Sequence, residues 1–234
     1  MKVAILNYTG TVGKTTVAAH LLSPRMGNAQ VFAVESINET AAGLGIDVEK
    51  LNGNKFRELF KKIMLEDDAI IDIGASNIED FINNMIKFDD SHEEIDYYLI
   101  PVTSGTKEKK ETLLMVNALA SLGIPKEKIR VIFNRVDSDV DEEFRFVINH
   151  YKKEKNFTLN KKCSIFENEL FDALSVKGLT VDALLSDQTD YKSLLKNNKD
   201  ANETERNTWS DMFVLKSLAK GVKRNLDYVY DNLF

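Results

Sequence analysis

The residues with the most legible chemistry lie near the amino end. Gly10-Thr11-Val12-Gly13-Lys14-Thr15-Thr16 joins an apolar run, Val3-Ala4-Ile5-Leu6, to a segment of helical pattern, Val17-Ala18-Ala19-His20-Leu21-Leu22. Glycines at 10 and 13 let the backbone turn its N–H groups towards an anion, and the helix that follows adds its positive amino end. Lys14 then supplies a point charge for the outer phosphates of a nucleotide, and the Thr15 hydroxyl a hard oxygen for Mg2+. Two further segments carry chemistry at the end of an apolar run. Ala69-Ile70-Ile71-Asp72-Ile73-Gly74 offers the Asp72 carboxylate to the same metal shell. Ile129-Arg130-Val131-Ile132-Phe133-Asn134-Arg135-Val136-Asp137 offers the Asn134 amide to a purine edge, with Arg135 beside it. Asp137 keeps guanine open beside adenine, and a plain turn built from Asn and Asp is the competing reading of this corner.

The elements that must position these residues follow from hydropathy patterning. Apolar runs at Val3 to Leu6, Val31 to Val34, Ala69 to Ile73, Tyr97 to Val102 and Val131 to Phe133 read as buried strands. Between them lie stretches of helical period: Phe56, Phe60, Ile63 and Met64, then Leu113, Leu114, Val116, Leu119, Ala120 and Leu122. The alternation predicts an α/β fold, a mostly parallel sheet flanked by helices, with ligands at the carboxyl edge of the strands. A shorter strand is expected around Cys163 to Phe166, and a helix from about Glu169 to Leu174. The segment Ser138 to Asp141 reads as a helix start. Residues 192–208 are polar and read as a long loop; a helix is expected over about 209–232, because Leu215, Leu218, Ala219, Val222, Leu226, Val229 and Leu233 recur at spacings of three and four.

Composition narrows the function classes. With 234 residues, 43% of them hydrophobic, the chain is expected to form a single domain over 1–234. No stretch approaches the roughly 20 apolar residues of a membrane span, and Met1-Lys2-Val3 leads straight into a strand-like run, so a cytoplasmic protein is expected. One cysteine, Cys163, and three histidines provide neither an internal disulfide nor a cluster at metal-ligand spacing. The formal net charge of −6 argues against a protein that coats DNA with its whole surface. Lys216, Lys220, Lys223 and Arg224 recur at helical spacing and form the candidate ridge for weak, non-specific DNA contact, with a solvated helix face as the alternative reading.

The segment Thr9 to Thr16 resembles the deviant Walker A motif, K-G-G-x-G-K-[ST]-[ST], of the ParA/MinD superfamily of P-loop ATPases, with Gly10, Gly13, Lys14, Thr15 and Thr16 matching. Thr9 falls where that family carries a signature lysine that reaches a partner's phosphates, and Thr11 where it carries its second glycine. With Ala33-Val34-Glu35-Ser36-Ile37-Asn38, the opening segment looks most like the StbB family of plasmid-stability ATPases. The resemblance implies a P-loop NTPase fold, ATP and Mg2+ as ligands, and a nucleotide switch in plasmid stability, partition or DNA positioning. Gly10, Thr11, Val12, Gly13, Lys14, Thr15 and Thr16 would hold phosphates, Asn134 and Arg135 the base, and Thr15 and Asp72 the metal. Lys14, Glu35 and Asp72 would carry the chemistry. Ile37 stands where relatives place the acid that positions the attacking water, so slow hydrolysis is expected. Implied partners are a second copy of the chain, joined in the presence of ATP, and a DNA-binding adaptor protein. A ligase resembling dethiobiotin synthetase and a nucleotide-binding adaptor without hydrolysis are the alternatives.

Overall fold

A computed structural model describes residues 1–27, 29–34, 46, 48–51 and 55–234. Seven parallel strands form one sheet in the order β3-β2-β4-β1-β5-β6-β7: β1 Lys2–Ile5, β2 Gln30–Val34, β3 Glu49–Leu51, β4 Ala69–Ile73, β5 Tyr97–Val102, β6 Ile129–Val136 and β7 Thr158–Phe166. Every residue of β4 is buried, as a strand covered on both faces requires. Side-chain alternation sorts the apolar residues into two layers. Ala4, Ile71, Tyr98, Ile100, Val131 and Phe133 face one layer; Val3, Ile5, Ile70, Leu99 and Ile132 face the other.

Helices α2 Phe56–Leu65, α3 Ile78–Lys87, α4 Thr106–Ser121 and α6 Arg145–Glu154 contribute to the first layer, with α5 Val140–Glu143 leading into α6. The second layer takes α1 (residues 14–22), α7 Leu170–Lys177, α8 Val181–Ser186 and α10 Glu203–Leu233. The short α9 Tyr191–Asn197 lies against α10. Helix α1 begins with one α turn, Lys14–Thr16, and continues as a π-helical segment, Val17–Leu22. Burying Leu215, Val222, Leu226, Val229 and Leu233 of α10 against β7 and α1 contributes on the order of 10 kcal/mol before chain-ordering entropy is counted. Polar clasps fix its register: Asn225 Nδ2 donates to Ser164 O (3.0 Å), Asn160 Nδ2 to Asn232 O (3.1 Å), and Arg25 pairs with Asp227 at 2.7 Å.

Several expectations need correction. Strand β3 has no apolar run to announce it; only Leu51 of its three residues is buried. The polar stretch 192–208 is largely helical: Asp190 accepts from Ser193 N and Asn202 from Glu205 N, both at 2.9 Å, so two side-chain caps start helices where composition suggests a loop. On α2 the buried row is Phe56, Leu59 and Ile63, and Met64 turns outward; on α4 Leu114 is likewise exposed. Among the described residues no helix is long and apolar enough to cross a membrane.

Candidate functional site

The chain leaves β1 at the carboxyl edge of the sheet and turns through residues 6–13 into α1. Asn7, fully buried, anchors the first half of this loop. Its Nδ2 donates to Pro101 O (2.9 Å) and Thr112 Oγ1 (2.8 Å), and its Oδ1 accepts from Thr9 N (3.1 Å). Gly10–Val12 form a single 3-10 turn. Gly13 then takes φ 83°, a left-handed conformation that L side chains rarely adopt, and Val17 N donates to Gly13 O (3.0 Å) as the helix begins. Space excludes a side chain at Gly13 as firmly as φ does, since an added Cβ would lie 2.3 Å from Asn134 Nδ2.

Asn134 anchors the other half of the loop. It is buried near the end of β6, and its Nδ2 donates to Val12 O at 2.8 Å. In the structure, the residue read from sequence as a purine contact pins the glycine turn. Arg135 beside it has φ 53°, is exposed, and lies 3.8 Å from Glu167. Just beyond, the backbone N–H groups of Asp137, Ser138 and Asp139 converge on Glu143 Oε1 at 3.1, 2.7 and 3.1 Å. Burial is the largest single influence on the Glu143 carboxyl and acts to raise its pKa, but the donors from Ser138, Asp137 and Asp139 together outweigh it and hold the group below its usual value.

Lys14 is buried, and its Nζ curls back over the loop to donate to Thr9 O (2.7 Å) and Asn7 O (3.2 Å). Carbonyl oxygens can hold a buried ammonium, and the same ammonium lies within the curl of main chain that a phosphate would enter. Thr15, half-buried, opens α1 beside it. Across the strand pair, Asp72 on β4 stands level with Ile5 on β1, buried, one residue before its strand ends. Gly74 N and Asn77 Nδ2 both donate to Val34 O, at 2.9 and 3.2 Å, tying the loop after β4 to the end of β2. The structure thus brings Gly10, Thr11, Val12, Gly13, Lys14, Thr15, Thr16, Asp72 and Asn134 to one stretch of the sheet's carboxyl edge. Glu35, Ser36, Ile37, Asn38 and Glu39 lie outside the described residues. A hydroxyl from Thr15 and a carboxylate from Asp72 are the hard oxygen donors that suit Mg2+.

Three side chains at this edge escape a sequence reading. Thr112 receives the Asn7 amide, Glu143 gathers the loop after β6, and Glu111 accepts from the Thr9 hydroxyl. Both Glu111 and Thr112 sit near the start of α4, whose apolar period becomes visible only from Leu113 onward. Their nearness to the loop depends on β5 lying beside β1, which no local pattern states.

Away from the edge, His20 Nδ1 accepts from Val181 N (3.3 Å), and burial pushes its pKa down to about 4, with Asp182 acting in the opposite sense. Cys163 donates to Asn232 O (3.3 Å), and burial pushes its thiol up to about 11; it packs as a structural side chain in the layer it shares with α10. The candidate basic ridge is divided. Lys216 is held by Asp187 O, Asp187 Oδ2 and Thr189 O, and Lys223 pairs with Asp182 at 3.0 Å, while Lys220 and Arg224 are exposed.

The fold has close counterparts among solved structures. Pyrococcus furiosus cell division ATPase MinD aligns with a TM-score of 0.55 at 15% identity, covering 96% of this chain and 98% of MinD. The fold is that of MinD. Cyanothece apo McdA aligns with a TM-score of 0.52 at 16% identity over 79% of this chain and 92% of McdA. The septum site-determining protein MinD of Pyrococcus horikoshii, complexed with Mg-ADP, gives 0.50 at 14% identity, with 80% and 89% covered. No protein-family model matches the sequence, and no curated protein does. The seven-stranded parallel sheet and these alignments bear out the expected α/β fold, a parallel sheet flanked by helices.

Proposed function

We propose that the chain is a nucleotide switch of the ParA/MinD type: it binds ATP with Mg2+ at the β1–α1 loop, hydrolyses it slowly, and changes its self-association or partner affinity between the two states. The observation that carries this reading is the buried Lys14 ammonium held by Asn7 O and Thr9 O, inside a turn whose left-handed Gly13 is braced by Asn134. In the charge-neutral alternative, a strand-to-helix turn with no ligand, no buried cation would be needed there.

Within this reading Gly10, Thr11, Val12, Gly13 and Thr16 present main-chain N–H groups to the phosphates, and Lys14 turns from its carbonyl partners to the β and γ oxygens. Thr15 and Asp72 would hold Mg2+, which supplies charge neutralisation at the transferring phosphoryl group. Asn134 and Arg135 would meet the base. The Mg-ADP complex of the horikoshii MinD, on the same fold, supports the ligand assignment. Resemblance of the opening segment to StbB supports a role in plasmid stability or partition, with a DNA-binding adaptor as partner. Any direct DNA contact by α10 would fall to Lys220 and Arg224, because Lys216 and Lys223 are engaged inside the chain; with a net charge of −6 it would be weak and salt-sensitive.

The deciding experiment is solution mass by light scattering, without nucleotide and with Mg-ATP, using Lys14→Ala as control. A monomer that becomes a dimer only with ATP, and only with Lys14 present, supports the switch. A dimer of constant mass that hydrolyses ATP only with a small acid or amine co-substrate would replace it by the ligase reading.

A further inference from the structure

Resting on the ATPase reading above, we propose that Glu111 is the residue that orients and deprotonates the attacking water. Four observations lead there. Thr9, where the ParA/MinD pattern carries a cationic side chain, is buried, and its hydroxyl donates to Glu111 Oε2. The carbonyl of the same Thr9 accepts from Lys14 Nζ at 2.7 Å, so Glu111 meets the loop at the residue that already holds the phosphate-seeking lysine. Glu111 therefore lies against the half of the loop that Lys14 folds over. The carboxylate is only partly exposed, at 23%, and Lys107 Nζ, one helical turn earlier on α4, lies 3.6 Å from its other oxygen and offsets its charge from the solvent side. Finally, Ile37, at the place in the sequence pattern of an acid, has no atom that can accept a proton.

Among the described residues, nothing else at this edge combines a carboxylate, a fixed orientation and a place beside the loop. Asp72 is assigned to the metal shell, and Glu143 is occupied by three backbone N–H groups. Glu111 is also well supported: its helix is pinned to the loop by the neighbouring Thr112, which accepts from Asn7 at 2.8 Å. The step is a direct displacement. A lone pair of water forms the new O–P bond to the γ phosphorus, and the bond from that phosphorus to the β–γ bridging oxygen breaks, its electron pair leaving with ADP. One water proton passes to Glu111 and is returned to the released phosphate or to solvent. No further reactant is required.

The test uses Glu111→Gln in the full chain, with two readouts kept apart: affinity for a fluorescent ATP analogue with Mg2+, and phosphate release from bound ATP in a single turnover. The glutamine carbonyl still accepts from the Thr9 hydroxyl, so a merely structural role is preserved and only proton acceptance is lost. The expected result is nucleotide affinity within about twofold of wild type and phosphate release reduced roughly 100-fold or more, the range of a lost general base. Glu111→Asp, which keeps the carboxylate one methylene short, should recover part of the rate. Unchanged release in Glu111→Gln overturns the proposal, as does a wild type that binds ATP and releases no phosphate. A parallel loss of affinity and rate also overturns it, by making Glu111 a binding residue. If wild type itself fails to bind nucleotide, the ATPase reading fails first, and the analogue titration shows this separately.

Discussion

Gly13→Ala tests the architecture of the glycine loop directly. The substitution adds a Cβ whose ideal position is 2.3 Å from Asn134 Nδ2, and it does so at φ 83°. The left-handed backbone alone costs a non-glycine residue about 1–2 kcal/mol. Relief of the overlap requires Asn134 to withdraw, which breaks its 2.8 Å bond to Val12 O and leaves a buried carbonyl unmet, for about 1–3 kcal/mol more. The expected loss is therefore roughly 2–5 kcal/mol, and at about 2–4 °C per kcal/mol for a chain of this size the melting temperature should fall by about 4–20 °C. Because the two terms have different origins, a double-mutant cycle separates them. In an Asn134→Ala background the overlap is gone, so Gly13→Ala should cost only the backbone term, about 1–2 kcal/mol. Thermal or urea unfolding of the four proteins gives the coupling. An equal cost for Gly13→Ala in both backgrounds would show that Asn134 does not brace the turn, and the reading of Asn134 as an anchor would be withdrawn.

Burial lowers the pKa of His20 to about 4 from an unfolded value near 6.5, so the neutral ring is the folded form. Stability from this group is complete above about 6.5 and is lost as pH falls towards 4, by up to about 3 kcal/mol. Urea midpoints between pH 7 and 4.5 should show that slope in wild type and a shallower one in His20→Gln, whose amide oxygen can still accept from Val181 N. The Glu143 carboxyl, held low by its backbone donors, contributes stability above its unfolded pKa that disappears as pH falls through the lower folded value. Glu143→Gln should remove that acid-side contribution and raise amide exchange at residues 137–139, read by mass spectrometry at pH 7. Lys216→Met cuts the ties to Asp187 and Thr189, and amide exchange should rise over 187–197 with little change in β4. Charge reversal at both Lys220 and Arg224 should flatten the salt dependence of any DNA binding, measured by fluorescence anisotropy, whereas reversal at Lys223 should act mainly on thermal stability through its pairing with Asp182.

The sequence by itself determined the local events. Apolar runs such as Ala69–Ile73 declare strands buried on both faces, and the spacing of Leu215, Ala219, Val222 and Leu226 declares a helix with one packed side, because periodicity is a property of neighbouring residues. Gly13 followed by Lys14 and Thr15 between a strand and a helix marks a candidate anion cradle for the same reason. Caps at Asp190 and Asn202 were equally local, yet their helices were hidden by polar composition, since an exposed helix start needs no apolar side. Only tertiary structure decided what meets the cradle. That β1 lies between β4 and β5 sets Asp72 level with Ile5 and brings Thr112 and Glu111 against Asn7 and Thr9, over separations of about a hundred residues. The same packing turned Asn134 from a strand-end residue into the brace of Gly13 and took Lys216 and Lys223 out of the basic ridge. These are contacts between distant segments, fixed by strand order and helix docking, and a one-dimensional pattern holds no term for either.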